Sequence, residues 1–161
     1  MLSEMSEAAI NRRLFIAASA LAVLPVSAMA DQCPPDKKGE NLLATGPSAP
    51  VGVTDTVLAT IDLSKEKVAL PDHTMRVRRL EVKPEGIVPW HSHADRPAMI
   101  YMIQGELTEH TNTCSVPVVL RAGQIIAETH IVQHWWKNDG KETAVVLSFD
   151  ILHDPKDAHM M

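Results

Sequence analysis

Several features that would point to particular functions are scarce or missing in this 161-residue chain. Basic charge is low, because 15 Lys and Arg face 20 Asp and Glu, for a formal net charge of -5. No basic stripe is present beyond Arg76, Arg78, Arg79 and Lys83, which alternate with apolar residues as an exposed strand face would. We therefore expect no nucleic-acid partner.

Internal repeats, low-complexity tracts and long segments of helical periodicity are also missing. The chain is too short for two compact domains and suits one domain plus a removable segment. Apolar residues make up 45% of the chain and charged residues 22%, which is the composition of an ordinary globular protein with enough apolar material for a core.

Short runs rich in β-forming residues follow one another along the last two thirds of the chain, separated by Gly, Pro, Asn or Asp. The predicted strands are 53–63, 75–82, 98–104, 106–110, 116–120, 124–129 and 143–151. The apolar run 99–103 is typical of a strand that is covered on both faces. Asn138 begins a tight-turn signal between the strand that contains Trp135 and the last strand. The pattern predicts an all-β sandwich or small barrel.

The N-terminus has the features of an export signal. Arg12 and Arg13 resemble the twin-arginine motif, 17–26 is an apolar stretch of signal-peptide length, and a small-residue cleavage pattern ends at Ala30. A single membrane anchor is the alternative, but the apolar stretch is too short to cross a bilayer comfortably. We predict that 1–30 is removed, that the mature protein is periplasmic or secreted, and that it has no membrane association afterwards.

Residues 31–50 are rich in Pro and Gly, which predicts an extended arm ahead of the barrel domain at 51–161. The only two cysteines are Cys33, in this arm, and Cys114. An oxidising compartment makes them a candidate disulfide that would pin the arm to the barrel, whereas two unrelated thiols are the alternative.

His91-Ser92-His93 is the first chemical feature of the chain. On a strand, residues i and i+2 point to the same face, so both imidazoles are expected to face one interior point. Alone this pair is a weak signal, because eight histidines in 161 residues produce an H-x-H by chance at an appreciable rate.

The spacing around this pair resembles the first motif of the cupin family. That motif has a Gly, then H-x-H, then a Glu four or five residues after the second His, and then a Gly seven residues further on. Gly86, His91, His93 and Gly105 fall into this pattern, although the gap after the first Gly is one residue shorter than usual.

The second cupin motif places Gly, Pro, Gly, His and Asn at fixed intervals. Gly123, His134 and Asn138 match those intervals, whereas Thr129 and Ile131 stand where Pro and Gly are usual. The resemblance implies an all-β, cupin-type double-stranded β-helix (jelly-roll barrel) and a metal held by the histidines. It also makes a homodimer the expected assembly.

The family's glutamate falls at Pro97 or Ala98, and neither side chain can bind a metal. The resemblance therefore implies a reduced set of three ligands: His91, His93 and His134. Three neutral imidazoles leave the +2 charge uncompensated and leave coordination positions open, which is typical of a catalytic site rather than a closed structural site. The expected cofactor is one divalent transition metal, with Fe or Mn favoured and Zn, Ni or Cu also compatible with imidazole.

Two further residues are candidates for catalysis. Glu128 lies in an apolar run, so it either meets the metal, orients a ligating histidine or pairs with an arginine. Arg96 lies in a loop that we expect at the barrel mouth, where it either holds a substrate carboxylate or forms an ordinary salt bridge. The other histidines have no partner at ligand spacing and are interpreted as surface or local hydrogen-bonding residues: His73, His110, His130, His153 and His159.

Three-histidine cupin sites without an acid are often found in iron-dependent dioxygenases. The resemblance therefore favours a mononuclear non-haem metal oxygenase acting on a small organic substrate. A non-catalytic metal- or ligand-binding module is the alternative, and a sugar or acid isomerase is a third reading that would need Glu128 as a base near the metal. A metal-free barrel, in which the histidines pair with carboxylates, is the fourth.

Overall fold

The computed structural model describes residues 33–153. Within that range the chain forms antiparallel strands and two short 3-10 helices, Pro35–Lys37 and Leu63–Lys65. The strands are β1 Val51–Asp62, β2 His73–Ser92, β3 Ala98–Gln104, β4 Glu106–Thr111, β5 Val118–Arg121, β6 Ile125–Glu128, β7 Gln133–Lys137 and β8 Ala144–His153. They are ordered β5-β4-β7-β2-β8-β3-β6, with β1 paired to β2. This nearly closed barrel confirms the predicted all-β fold.

The export signal expected at 1–30 lies outside the described residues. In the part of the chain that is described, no helix has the length and apolar character needed to cross a membrane.

Strand β2 is much longer than the predicted strand 75–82, because it continues past Pro84 and Pro89 to Ser92. Its first half pairs with β1 and β8, and its last residues pair with β7. The strand kinks at Glu85, which has a φ of 61°. Beside it, a Cβ on Gly86 would lie 2.6 Å from a backbone oxygen. Beyond the kink, β2 exchanges β8 for β7 as its pairing partner.

Side chains that alternate along the strands fill the barrel with an apolar core. The core members are Leu80, Val82, Val88, Met102, Leu107, Leu120, Trp136, Ala144 and Val146. The prediction that 99–103 is covered on both faces is wrong, because Met99, Tyr101 and Ile103 are exposed on the outside of the barrel. Their neighbours on β3, Ala98 and Met102, face inward.

The prediction that Arg76 and Arg78 lie on an exposed strand face is also wrong. Both side chains are buried, because they share the inward face of β2 with Leu80 and meet acidic partners there. Arg76 makes two hydrogen bonds to Asp150, of 2.9 and 2.8 Å, and Arg78 contacts Asp55 at 2.6 Å and Asp150 at 3.1 Å. This part of the barrel interior is therefore a buried ionic network.

The arm is attached to the barrel by a disulfide between Cys33 and Cys114, which confirms the predicted bond. Backbone hydrogen bonds continue the attachment, from Gly39 N–H to Thr113 O and from Leu42 N–H to Asn112 O. The arm thus runs along the end of β4 before the chain enters β1.

Candidate metal centre

Strands β2 and β7 bring three histidines from distant positions to one end of the barrel. His91 on β2 lies directly opposite His134 on β7, and His93 follows the last residue of β2. The backbone N–H of His93 donates to Val132 O at 2.9 Å, which ties the turn after β2 to the start of β7. The structure therefore brings all three predicted ligand residues together.

The three Nε2 atoms form an almost equilateral triangle. The distances are 3.2 Å between His91 and His93, 3.0 Å between His93 and His134, and 3.1 Å between His134 and His91. Metal–nitrogen bonds of about 2.1 Å place nitrogen atoms about 3.0 Å apart at right angles and about 3.4 Å apart in a tetrahedron. One ion can therefore bind all three, and the spacing is closer to three ligands on one face of an octahedron.

The second nitrogen of each ring faces an oxygen that accepts a hydrogen bond. His91 Nδ1 donates to Pro89 O at 2.8 Å, and His93 Nδ1 donates to Arg96 O at 2.8 Å. His134 Nδ1 donates to Glu109 Oε1 at 2.6 Å. A proton on each Nδ1 leaves a lone pair on each Nε2, so three lone pairs converge on the same point. Lone pairs at this separation repel one another unless a cation lies between them, and so the donor set fits a divalent metal.

The environment keeps the metal-free rings neutral. Burial is the main cause of the lowered pKa of His91, to about 2, with the neighbouring His134 adding to it. Burial likewise lowers the pKa of His93 to about 3, again with a contribution from His134. The pKa of His134 is lowered to about 3 by burial and by the charge of Arg96. Neutral imidazole is the form that binds metals.

Two buried carboxylates lie behind His134, on the Nδ1 side of its ring. Glu109, on the inward face of β4, accepts the hydrogen bond from Nδ1, and Glu128 Oε1 lies 3.6 Å from the same atom. Burial raises the pKa of Glu128 well above its usual value, and the charge of Glu109 adds to this rise. Glu128 therefore lies behind His134, on the Nδ1 side of its ring, rather than beside the converging Nε2 atoms.

Sequence analysis missed Glu109. The sequence pattern that could have indicated it is the alternation along β4, in which Leu107, Glu109 and Thr111 are buried. Because Leu107 is apolar and must face the core, the residue two positions further along must face it as well.

A narrow cavity of about 30 Å³ adjoins the three rings inside the barrel, which is room for about one or two water molecules. Trp136 lines the cavity, and so do Arg78 and Ser148 from the region of the ionic network. Trp136 Nε1 lies 3.4 Å from His134 Nε2, which is long for a hydrogen bond.

Arg96 is buried rather than solvated. Its backbone oxygen accepts the hydrogen bond from His93 Nδ1, and Arg96 lines a separate depression of about 350 Å³ that also contains His91. Catalytic roles for Arg96 and Glu128 stay predictions.

The remaining histidines of the described chain form no cluster with the triad. His73 and His153 face each other at 4.6 Å between ring centroids, at the far ends of β2 and β8. His110 stacks on Trp135 at 3.9 Å, and His130 is exposed.

Comparisons with known proteins agree with this geometry. A sequence model of the cupin domain family matches residues 78–150, which include all three histidines. No curated protein matches the chain significantly. A solved structure described as a predicted oxalate decarboxylase from Thermotoga maritima is 18% identical, with a TM-score of 0.51, over 66% of this chain and 92% of that one.

KdgF from Halomonas sp. is 15% identical, with a TM-score of 0.48, over 68% of this chain and 84% of that one. At these identities the likeness concerns the fold alone. The family match, the antiparallel barrel and the converging histidines together identify residues 78–150 as a cupin domain.

Proposed function

We propose that this protein is a mononuclear, metal-dependent oxygenase that acts on a small organic substrate. The observation that carries the proposal is the composition of the triangle: three imidazoles meet, and both nearby carboxylates lie on the far side of His134. A base facing the metal would favour proton-transfer chemistry such as isomerisation. Among residues 33–153, no carboxylate lies beside the three Nε2 atoms, so oxygen chemistry is the better fit.

When bound, the ion would supply a Lewis acid and a redox partner for oxygen. His91, His93 and His134 would hold it on one face and leave the opposite coordination positions open. Glu109 would fix the ring orientation of His134, and the apolar wall near Leu107 would exclude water from the cavity.

Iron or manganese is the metal that we favour, with zinc, nickel and copper as the alternatives. Bare affinity for imidazole favours copper over the other first-row divalent metals. A protein exported in the folded state by a twin-arginine route would acquire its metal in the cytoplasm, before copper or zinc outside could compete.

Small acids are the substrate class that the surroundings of the triad fit best. Arg78 and Ser148 line the cavity beside the histidines, and Arg96 lies in the depression that contains His91. A guanidinium is the side chain best suited to a carboxylate. The small cavity limits the substrate, or the part of it that enters, to a few atoms.

Oxygen consumption by the iron-loaded protein tests the proposal. The panel should contain small carboxylic acids, phenols, diketones and thiols, and a His134→Gln variant serves as the control without a complete triad. We expect oxygen uptake with at least one class, lost in the variant. Arg96→Lys should then raise KM for an acidic substrate, whereas Arg79→Lys, on the outer face of β2, should not. Uptake that is flat across the panel would overturn the proposal.

A non-catalytic metal- or ligand-binding cupin is the second candidate, and the small size of the cavity favours it. Calorimetry would show binding of a small acid to the metal-loaded protein without turnover. A sugar or acid isomerase is less well supported, because Glu128 lies behind His134 instead of facing the open positions.

We also propose that the protein is exported through its twin-arginine-like segment and cleaved after Ala30. N-terminal sequencing of the mature protein should begin at Asp31, and a start before Asp31 would contradict the proposal. Elemental analysis of this protein, compared with a version that lacks residues 1–30 and stays in the cytoplasm, would identify the metal and test when it is loaded.

The homodimer expected from the family resemblance stays a proposal as well. Its support is the outer face of the sheet, where Met99, Tyr101 and Ile103 on β3 and Met75 on β2 are exposed. Sedimentation of the wild-type chain and of a Met99→Glu/Ile103→Glu variant would test it, with a dimer expected only for the wild type.

A further inference from the structure

His73 and His153 form the end pair of the ladder between β2 and β8, where they lie directly opposite each other. Directly opposite side chains on one face of a sheet have Cβ atoms about 4.5–5.5 Å apart. The next pair of the ladder is Thr74 and Leu152, and Leu152 is buried. Because neighbouring residues of a strand face opposite sides, the two imidazoles meet on the outer face of the sheet, apart from the triad of His91, His93 and His134.

The two rings are separated as imidazoles that can share one ion are separated. Their centroids are 4.6 Å apart, whereas the three pairs of rings in the triad are 5.0, 4.5 and 4.9 Å apart. The planes of His73 and His153 are inclined by 31°, so they are more nearly parallel than the planes in the triad. His153 is exposed, which gives its ring room to rotate toward a shared ion.

A hydrogen bond from the backbone prepares His73 as a ligand. Its Nδ1 lies 2.6 Å from Pro71 O, and because a carbonyl oxygen has no proton, Nδ1 must be the donor. The neutral ring therefore has its lone pair on Nε2. His91 in the triad is held in the same way, by the backbone oxygen of a proline two residues earlier, Pro89. Metal-binding histidines commonly depend on such a partner for their tautomer and orientation.

The pair also lies beside a route from solvent to the triad. His153 lines the depression of about 350 Å³ that contains His91. His91 is the least buried of the three triad residues, so this depression is an approach from solvent to the triad. An ion held by His73 and His153 would lie next to that approach.

We propose that His73 and His153 form an outer binding site for a divalent transition metal, separate from the triad. Two imidazoles with water at the remaining positions suit Cu²⁺, Ni²⁺ and Zn²⁺ rather than Mg²⁺ or Ca²⁺. With two protein ligands instead of three, the outer site should bind its ion more weakly than the triad and exchange it with solvent. The inference concerns binding alone and does not depend on oxygen chemistry at the triad.

Copper titration of the full chain tests the proposal, because Cu²⁺ has the highest affinity for imidazole in this series and is visible by electron paramagnetic resonance. Equilibrium dialysis at about pH 7.5, above the usual pKa of histidine, gives the number of ions per chain. We expect His73→Gln and His153→Gln each to bind one Cu²⁺ fewer than the wild type. His130→Gln removes another exposed histidine and should bind as many ions as the wild type.

A triad variant separates the two sites. His93→Gln should lose the triad ion and keep the outer one, whose spectrum should show coupling to two imidazole nitrogens. The double variant His93→Gln/His153→Gln should lose both ions. If His153→Gln binds as many Cu²⁺ ions as His130→Gln, the two rings only stack on each other and the proposal is wrong. Loss of an ion in His153→Gln but not in His73→Gln would also overturn it, because the two rings would then not share the ion.

Discussion

His134 donates a hydrogen bond from Nδ1 to Glu109 Oε1 at 2.6 Å, between neighbouring strands β7 and β4. Both side chains are buried, so the carboxylate fixes the ring in one orientation and leaves the Nε2 lone pair facing His91 and His93. Metal-binding histidines commonly depend on such a carboxylate for their orientation and basicity. Glu109 does not face the three Nε2 atoms, yet through this hydrogen bond it should affect the metal affinity of the candidate site.

Glu109→Gln should therefore weaken metal binding. The amide conserves the shape of the side chain but removes the charge, and its nitrogen cannot accept the Nδ1 proton. We expect a loss of affinity of about 10- to 100-fold, measured by competition with a chromogenic chelator. Glu106→Gln is the matched control: Glu106 lies on the outer face of the same strand, three residues before Glu109, and pairs with Arg121. This variant should bind as the wild type does. Equal affinity in the two variants would show that Glu109 does not support His134.

Much of the barrel could be predicted from sequence, because β-formers alternate with turn residues and because the cupin spacing has fixed intervals. Strand β3 coincides with its predicted bounds, and the three histidines meet as their spacing indicated. His134 could be placed because Gly123 and Asn138 set its register. Asn138 acts as the turn residue expected of it, donating to Val82 O and Glu142 O and accepting from Gly140 N–H.

The errors have a common physical cause, which is tertiary pairing that local patterns do not reveal. Prolines normally end strands, yet β2 continues past Pro89 because its backbone there pairs with both β7 and the arm: Trp90 N–H donates to Pro47 O at 2.7 Å. Arg76 was interpreted as exposed because arginine usually is. Its partner Asp150, 74 residues away, compensates the buried charge.

Asp150→Asn should strongly destabilise the protein. Asp150 is fully buried and pairs with Arg76 and Arg78, so loss of its charge leaves two buried guanidinium groups with reduced compensation. Removal of one partner of a buried ion pair costs about 3–5 kcal/mol, which urea denaturation of the metal-free protein would measure. Glu81→Gln is the control, because its pair with Arg79 lies on the surface and is worth less than about 1 kcal/mol. Similar effects of the two substitutions would contradict the importance of the interior network.

The disulfide should contribute substantially to stability. Cys33 and Cys114 are 81 residues apart. A cross-link over a loop of that length lowers the entropy of the unfolded chain and so stabilises the fold by about 4.5 kcal/mol on the chain-entropy model. The double variant Cys33→Ser/Cys114→Ser should unfold at lower urea concentration by a corresponding amount. Reduction of the wild type should give the same midpoint. If reduced and oxidised protein unfold together, the arm adds nothing to the stability of the barrel.

Stability of the metal-free protein should fall as pH decreases below about 6.5, the usual pKa of histidine in an unfolded chain. In the folded state the pKa of His93 and that of His134 are lowered to about 3 by burial, so below pH 6.5 the unfolded chain binds protons that the folded chain does not. The free energy of unfolding then decreases by roughly 1 kcal/mol per pH unit for each ring that stays neutral, and it levels off above pH 6.5. Urea denaturation at pH 7.5, 6.5, 5.5 and 4.5 would measure this dependence, and His93→Gln should make it shallower. If the free energy of unfolding of the wild type stays constant between pH 6.5 and pH 4.5, the three histidines take up protons in the folded state. The three Nε2 lone pairs inferred from the Nδ1 hydrogen bonds would then not exist together.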